Sequence, residues 1–228
     1  MGGTEAQMRD AIQTAIDSCN PGDNFILQVA AGDWTVDSID PEDGNTYFAI
    51  SLKSGTAGNP ITYTINGNIV AASGSFTGIQ ASLIGCKGKS YITINGSGLV
   101  DGTNMPNIGI EQFRHLLLLV GASDTNIDGS GGLRFQNASG GDCLFIGRNE
   151  VNGTPSRDII ILDTIFSDGK RNCVSIISAN GLTMRRCTAF GASGTNPKSG
   201  FCIETDAYNT DELTNILIDA CVSYDNGD

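Results

Sequence analysis

The chain has 228 residues, enough for one large domain or two small ones with a real core, and its 25 acidic against 13 basic residues give a net charge of −12. That balance excludes a nucleic-acid partner, because binding phosphates needs clustered Lys and Arg. No apolar run approaches the roughly 20 residues of a membrane span, and "MGGTEAQMRD" has no basic stretch leading into an apolar one, so no signal peptide is expected here.

The first predicted element is a helix over 4–19. Met8, Ile12, Ala15 and Ile16 fall on one helical stripe, and Thr4 with Gln7 fits a capping box. "NPGD" then supplies turn chemistry. No second amphipathic helix follows. Short β-rich runs recur instead: "NFILQV", "NPITYTI", "SYITI", "HLLLLV", "CLFIG", "DIIIL", "CVSII", "GLTM", "FCIET", "NILID" and "CVSY". The chain is predicted to be all-β.

The runs repeat as longer units. Placing "CLFIG" over "CVSII" over "GFCIE" aligns Leu144, Val174 and Phe201, then Ile146, Ile176 and Ile203. "IILDTIF", "TMRRCTAF" and "LIDACVSY" set Ile161 over Met184 over Ile218, and Thr164 over Cys187 over Cys221. Alternate strand residues face opposite sides, so Val174 and Ile176 point inward while Ser175 and Ile177 point outward. Like residues at like positions are what parallel strands stacked about 4.8 Å apart would produce. Gly, Asn and Ser segments make the corners of each coil.

The seven cysteines form no CxxC pair and no metal-ligand spacing. Cys187 and Cys221 occupy one inward row and Cys143 and Cys173 another. Stacked, buried and reduced thiols are expected. The N-x-S/T matches at Asn95, Asn137 and Asn152 are what any Asn-rich chain contains.

The chain resembles the right-handed parallel β-helix proteins of the pectate-lyase-like superfamily, polysaccharide lyases and phage tailspike-like proteins among them. The resemblance rests on the helix running into "NPGDNFILQVAAGDWTV" and "LKSGTAGNPITYTINGNIV", and on "KRNCVSIISANGLTMRRCTAFGASGTNPKSGFCIETDA". It implies one solenoid domain over 1–228, capped by the 4–19 helix, with its clearest coils over 143–228. It also implies action on a polysaccharide lying along the outer face of the coils. Calcium-dependent relatives hold the ion with clustered Asp residues and use Lys or Arg as base, so calcium is a cofactor that the resemblance would supply; the carboxylates here form no diagnostic cluster. Where relatives carry an outward acid this chain has Cys202, while Glu204 keeps the second acidic position and Thr205 replaces a Pro.

Elimination from a uronic-acid polymer needs a cation beside the sugar carboxylate, a base and an acid. The catalytic candidates are Lys170 as base and Glu204. The substrate-binding candidates are Arg171, Ser175, Cys202 and Arg186. The same residues also read as solvated corner charges, with Arg185 and Arg186 pairing with Asp163 and Asp219 on adjacent coils. The lone His115 has no recognisable partner and reads as structural, with a general-acid role as the alternative.

"CVSYDNGD" ends on a strand and a turn, so the last coil is expected to continue into further coils or to be covered by another copy or a partner. Two functions stay open: a carbohydrate-active lyase or depolymerase, and a non-catalytic structural or receptor-binding β-helix such as a tailspike or surface adhesin. Either places the chain outside a cell or on a virion.

Overall fold

The computed structural model describes residues 5–28, 33–36, 40–41, 46–71, 80–105, 114–206 and 210–227. The helix runs Glu5–Ser18. Its buried face is Arg9, Ile12, Ile16 and Cys19, whereas Met8 and Ala15, expected on that face, are exposed. The helix is rotated by its ties to the first coil. The Gln13 amide donates to the Ser51 carbonyl and accepts from the Ser51 amide, both at 2.9 Å, and the Lys53 ammonium donates to the carbonyls of Asp17 and Cys19. Thr4, the expected cap, lies outside the described residues.

Beyond the helix the chain winds through three sheets in a fixed order. The first sheet stacks Asn24–Leu27, Ile61–Ile65, Ser90–Gly96, Ser123–Asp128, Ser156–Leu162, Ala179–Arg185 and Leu213–Asp219. The second stacks Asp33–Val36, Asn68–Ala71, Leu99–Asp101, Arg134–Gln136, Ile165–Ser167, Thr188–Phe190 and Val222–Tyr224. The third stacks Thr46–Ser51, Gln80–Lys87, Arg114–Val120, Leu144–Gly147, Val174–Ile176 and Phe201–Ile203, with the short Asp40–Pro41 antiparallel at its edge. All other pairings among the described strands are parallel. Successive parallel strands joined by right-handed crossovers make a right-handed parallel β-helix.

Its core is made of rows. Ile50, Ile84, Leu117, Leu144, Val174 and Phe201 follow one another through the third sheet, and Ile146 is followed by Ile176 and Ile203 in the predicted register. Tyr63, Ile94, Ile127, Ile161, Met184 and Ile218 do the same through the first. In the second, Phe135 and Phe166 stack with centroids 5.6 Å apart. Ile176 is fully buried, but the expected inward residue Ile203, on the last third-sheet strand, is 48% exposed. All seven cysteines are free; Cys187 is buried and Cys221 only half-buried, so the second of that pair departs from expectation.

Between the first and second sheets, Asp163, Arg186 and Ala220 each turn the chain with φ of 51°, 55° and 53°. There Arg186 pairs with Asp163 through two contacts of 2.7 and 2.6 Å, and Arg185 with Asp219 at 2.9 Å. These are the cross-coil pairs anticipated from the sequence.

Candidate functional site

The third sheet departs from strict alternation where each coil enters it. Leu83 and Ile84, Leu116 and Leu117, Cys143 and Leu144, and Cys173 and Val174 all join the core as successive pairs. The residue just before each pair therefore forms a row of its own: Ser82, His115, Asp142 and Asn172, all fully buried. Ser82 lies beside His115 in register, and the Leu116 amide donates to the Asp142 carbonyl, which brings Asp142 beside His115. The Asn172 amide donates to Asp142 Oδ1 at 2.9 Å, and the Asn172 side chain donates to Ser175 Oγ at 2.9 Å and accepts from the Ser199 amide.

This row carries charge-bearing groups in a dry setting. His115 Nδ1 is 3.5 Å from Asp142 Oδ2, and the imidazole packs on Phe145 with centroids 4.7 Å apart. Arg171 spans outward from the row, 4.0 Å from Asp142 Oδ2 and 2.8 Å from Glu204 Oε1. The Arg171 side chain is 15% exposed and that of Glu204 41%. Neither His115 nitrogen nor Asp142 Oδ2 has a hydrogen-bond partner. Leaving such groups unbonded costs about 1–3 kcal/mol each, so they are not a neutral choice for a core-side position.

The ionisation states follow from burial. Loss of solvent pushes the Asp142 carboxyl up to about 7 against the opposing pull of Arg171, of the Asn172 amide and of Ser175. Burial first, then the Arg171 and Arg114 charges, push His115 down to about 3. The short His115–Asp142 separation therefore joins a neutral imidazole to a carboxyl that readily holds its proton, and is not an ion pair at neutral pH. Burial and the Glu204 charge also raise the Cys202 thiol to about 11, so it is not a thiolate nucleophile.

One end of this outer face is apolar: Phe48, Leu118 and Val120 form a small cluster with Phe145, and Phe48 lies flat over Gly85, where any side chain would collide with its ring. The other end is polar, with Arg171, Cys202 and Glu204.

The sequence candidates are thus partly gathered. Arg171 and Glu204 meet, and Cys202, in register with Ser175, lies on the strand that ends just before Glu204. Ser175 faces away from the core as expected, but it is fully buried under the Asp142 and Asn172 contacts and is not an open groove position. The stem of Lys170 lies against Gly194, while the guanidinium that reaches Glu204 belongs to Arg171. Arg186 sits at the corner between the first and second sheets on Asp163, not at the third sheet. His115 gains the partner its sequence neighbourhood did not reveal. Asp142 escaped notice in the Gly-rich "SGGDC"; extending the coil alignment back onto "HLLLLV" would have placed it beside His115. Among the described residues no three His, Cys, Asp or Glu side chains converge to hold a metal, so the calcium implied by resemblance does not fit them.

No family model and no curated protein sequence matches the chain. Solved structures do. One is a protein from Parabacteroides merdae proposed to be a glycosyl hydrolase, at 18% identity and TM-score 0.64, covering 94% of this chain and 87% of that one. Another is the tailspike protein of an E. coli bacteriophage in complex with a pentasaccharide, at 14% identity and TM-score 0.62, covering 95% of this chain and 37% of that one. An alginate lyase from Paenibacillus matches at 16% identity and TM-score 0.50, covering 96% and 75%. At these identities the likeness is one of fold. The chain spans little more than a third of the tailspike.

Proposed function

We propose that the chain is a carbohydrate-active β-helix protein that takes a polysaccharide along the outer face of its third sheet, outside a cell or on a virion. The observation that carries this reading is the Arg171–Glu204 pair, partly exposed on that face and backed by the buried His115–Asp142 row. A guanidinium held beside two carboxyls suits recognition of hydroxyl-rich and acidic sugars, because it donates along several directions at once. A saccharide bound to the tailspike and the alginate lyase among the relatives in fold support a polysaccharide as the substrate class. No described helix is long and apolar enough to cross a membrane.

In the catalytic form of this proposal, Arg171 neutralises the sugar carboxylate, Lys170 takes the proton from the carbon beside it, the glycosidic bond to the next carbon breaks, and solvent water protonates the departing sugar oxygen, while Glu204 orders the guanidinium. β-Elimination leaves an unsaturated uronate that absorbs in the ultraviolet. Polygalacturonate and alginate are the test polymers, and Lys170→Ala is expected to reduce the signal about a hundredfold. Unchanged turnover in that variant removes Lys170 from the mechanism.

A second reading, a glycan-binding platform without turnover, is favoured by one observation. His115 and Asp142, whose ionisation burial displaces strongly, have no exposed surface. Saccharide binding without any unsaturated product would select it.

A further inference from the structure

Asp142 is placed between two competing partners. Its Oδ1 is taken by the Asn172 amide, while Oδ2 has no hydrogen bond and lies 3.5 Å from His115 Nδ1 and 4.0 Å from the Arg171 guanidinium. A proton on Oδ2 can be offered to a neutral acceptor, and the neutral imidazole lies 3.5 Å away. Without the proton, Oδ2 attracts a cation, and Arg171 is beside it. The guanidinium also has an alternative, since its other nitrogen bonds the partly exposed Glu204 at 2.8 Å. The 2.8 Å and 4.0 Å separations are those of a guanidinium committed to the outer carboxylate.

We propose that Asp142 is a positioning residue for Arg171: its ionised carboxylate draws the guanidinium inward, and protonation turns Asp142 toward His115 and releases Arg171 to Glu204 and to an anionic ligand. Among the described residues, the charged and titratable groups facing this switch are His115 and Arg114 on the preceding strand, the Cys143 thiol beside it, Arg171, Cys202 and Glu204 on the following coils, and Asp206 just beyond. His115 stays neutral across the relevant range, because burial and both arginines oppose its charge. Burial likewise places the Asp142 transition close to neutrality rather than in the usual carboxylate range. Once ionised, Asp142 and Glu204 together outweigh the one guanidinium between them, and the site loses its attraction for anions.

The role can be read without any ligand. In nitrogen-labelled protein the Arg171 Nε–H resonance, assigned by its loss in Arg171→Lys, should show an inflection near neutral pH that coincides with the carboxyl carbon titration of Asp142. Asp142→Asn keeps the shape and a donor toward His115, and should abolish the inflection. An inflection that persists in Asp142→Asn, or wild-type titrations of Arg171 and Asp142 that do not coincide, overturns the proposal. The wild-type comparison decides the matter even if the variant does not fold.

The ligand arm rests on the glycan-binding reading and uses polygalacturonate as probe. Wild-type affinity should be about tenfold higher near pH 6 than near pH 8, and Asp142→Asn should hold the higher affinity at both. Equal wild-type affinity at the two values overturns the role in ligand release. Absence of binding at either pH, beside a coincident resonance titration, removes the polyuronate reading and leaves the positioning role standing.

Discussion

At the scale of single residues, His115 and Asp142 give the fold two opposed pH dependences. His115 is lowered from 6.5 to about 3, so the unfolded chain binds its proton more tightly and stability is lost as pH falls from about 6.5 toward 3. Asp142 is raised from 3.8 to about 7, so the folded chain holds its proton more tightly and stability is lost as pH rises from about 3.8 toward 7. Each shift of some three units corresponds to ~4 kcal/mol at most. Over the shared window the slopes offset each other. His115→Phe should therefore leave a protein whose stability falls with rising pH between about 4.5 and 7. Asp142→Asn should leave one whose stability rises over the same range. Urea unfolding midpoints across that range check both signs, and two variants that keep the wild-type dependence would contradict the burial-driven titrations.

At the scale of the strands, one apolar side chain per coil and per row keeps the register. Ile176 is fully buried between Ile146 and Ile203, whereas Ile160, on the outer side of a first-sheet strand, is 41% exposed. Ile176→Asp puts an unpaired charge into a dry core and should abolish folding, while Ile160→Asp should change stability by about 0.5 kcal/mol or less. Circular dichroism and unfolding curves separate the two, and a folded Ile176→Asp protein would contradict the row assignment. These rows were legible because the same apolar residues recur at like positions in "CLFIG", "CVSII" and "GFCIE". The second-sheet strands Leu99–Asp101 and Arg134–Gln136 were not, since each buries one side chain and three residues show no period. For the site, the coil alignment foretold that Glu204 lies on the outer face near Arg171, and it placed Ser175 correctly as outward. It could not show that Ser175 is covered or that His115 meets Asp142. Those facts depend on how the corner before each third-sheet strand is turned, and the turn is set by Gly-rich segments with no apolar pattern.

At the scale of the whole molecule, stacking turns a one-residue difference between coils into a property of a face. Coils about 4.8 Å apart present successive outer residues to a polymer lying along the axis, and Arg171 and Glu204 come from consecutive coils. The net charge of −12 makes the rest of the surface repel an acidic polymer, so attraction has to be local. The first- and second-sheet corner, by contrast, neutralises its arginines on Asp163 and Asp219. On the proposed function, the third-sheet face, and not this corner, takes the glycan. Equilibrium titration of wild type, Arg171→Ala and Arg186→Ala with polygalacturonate and alginate oligosaccharides tests it most directly. A loss of about tenfold or more is expected for Arg171→Ala and wild-type affinity for Arg186→Ala; the reverse pattern, or equal losses in both, would place the glycan elsewhere.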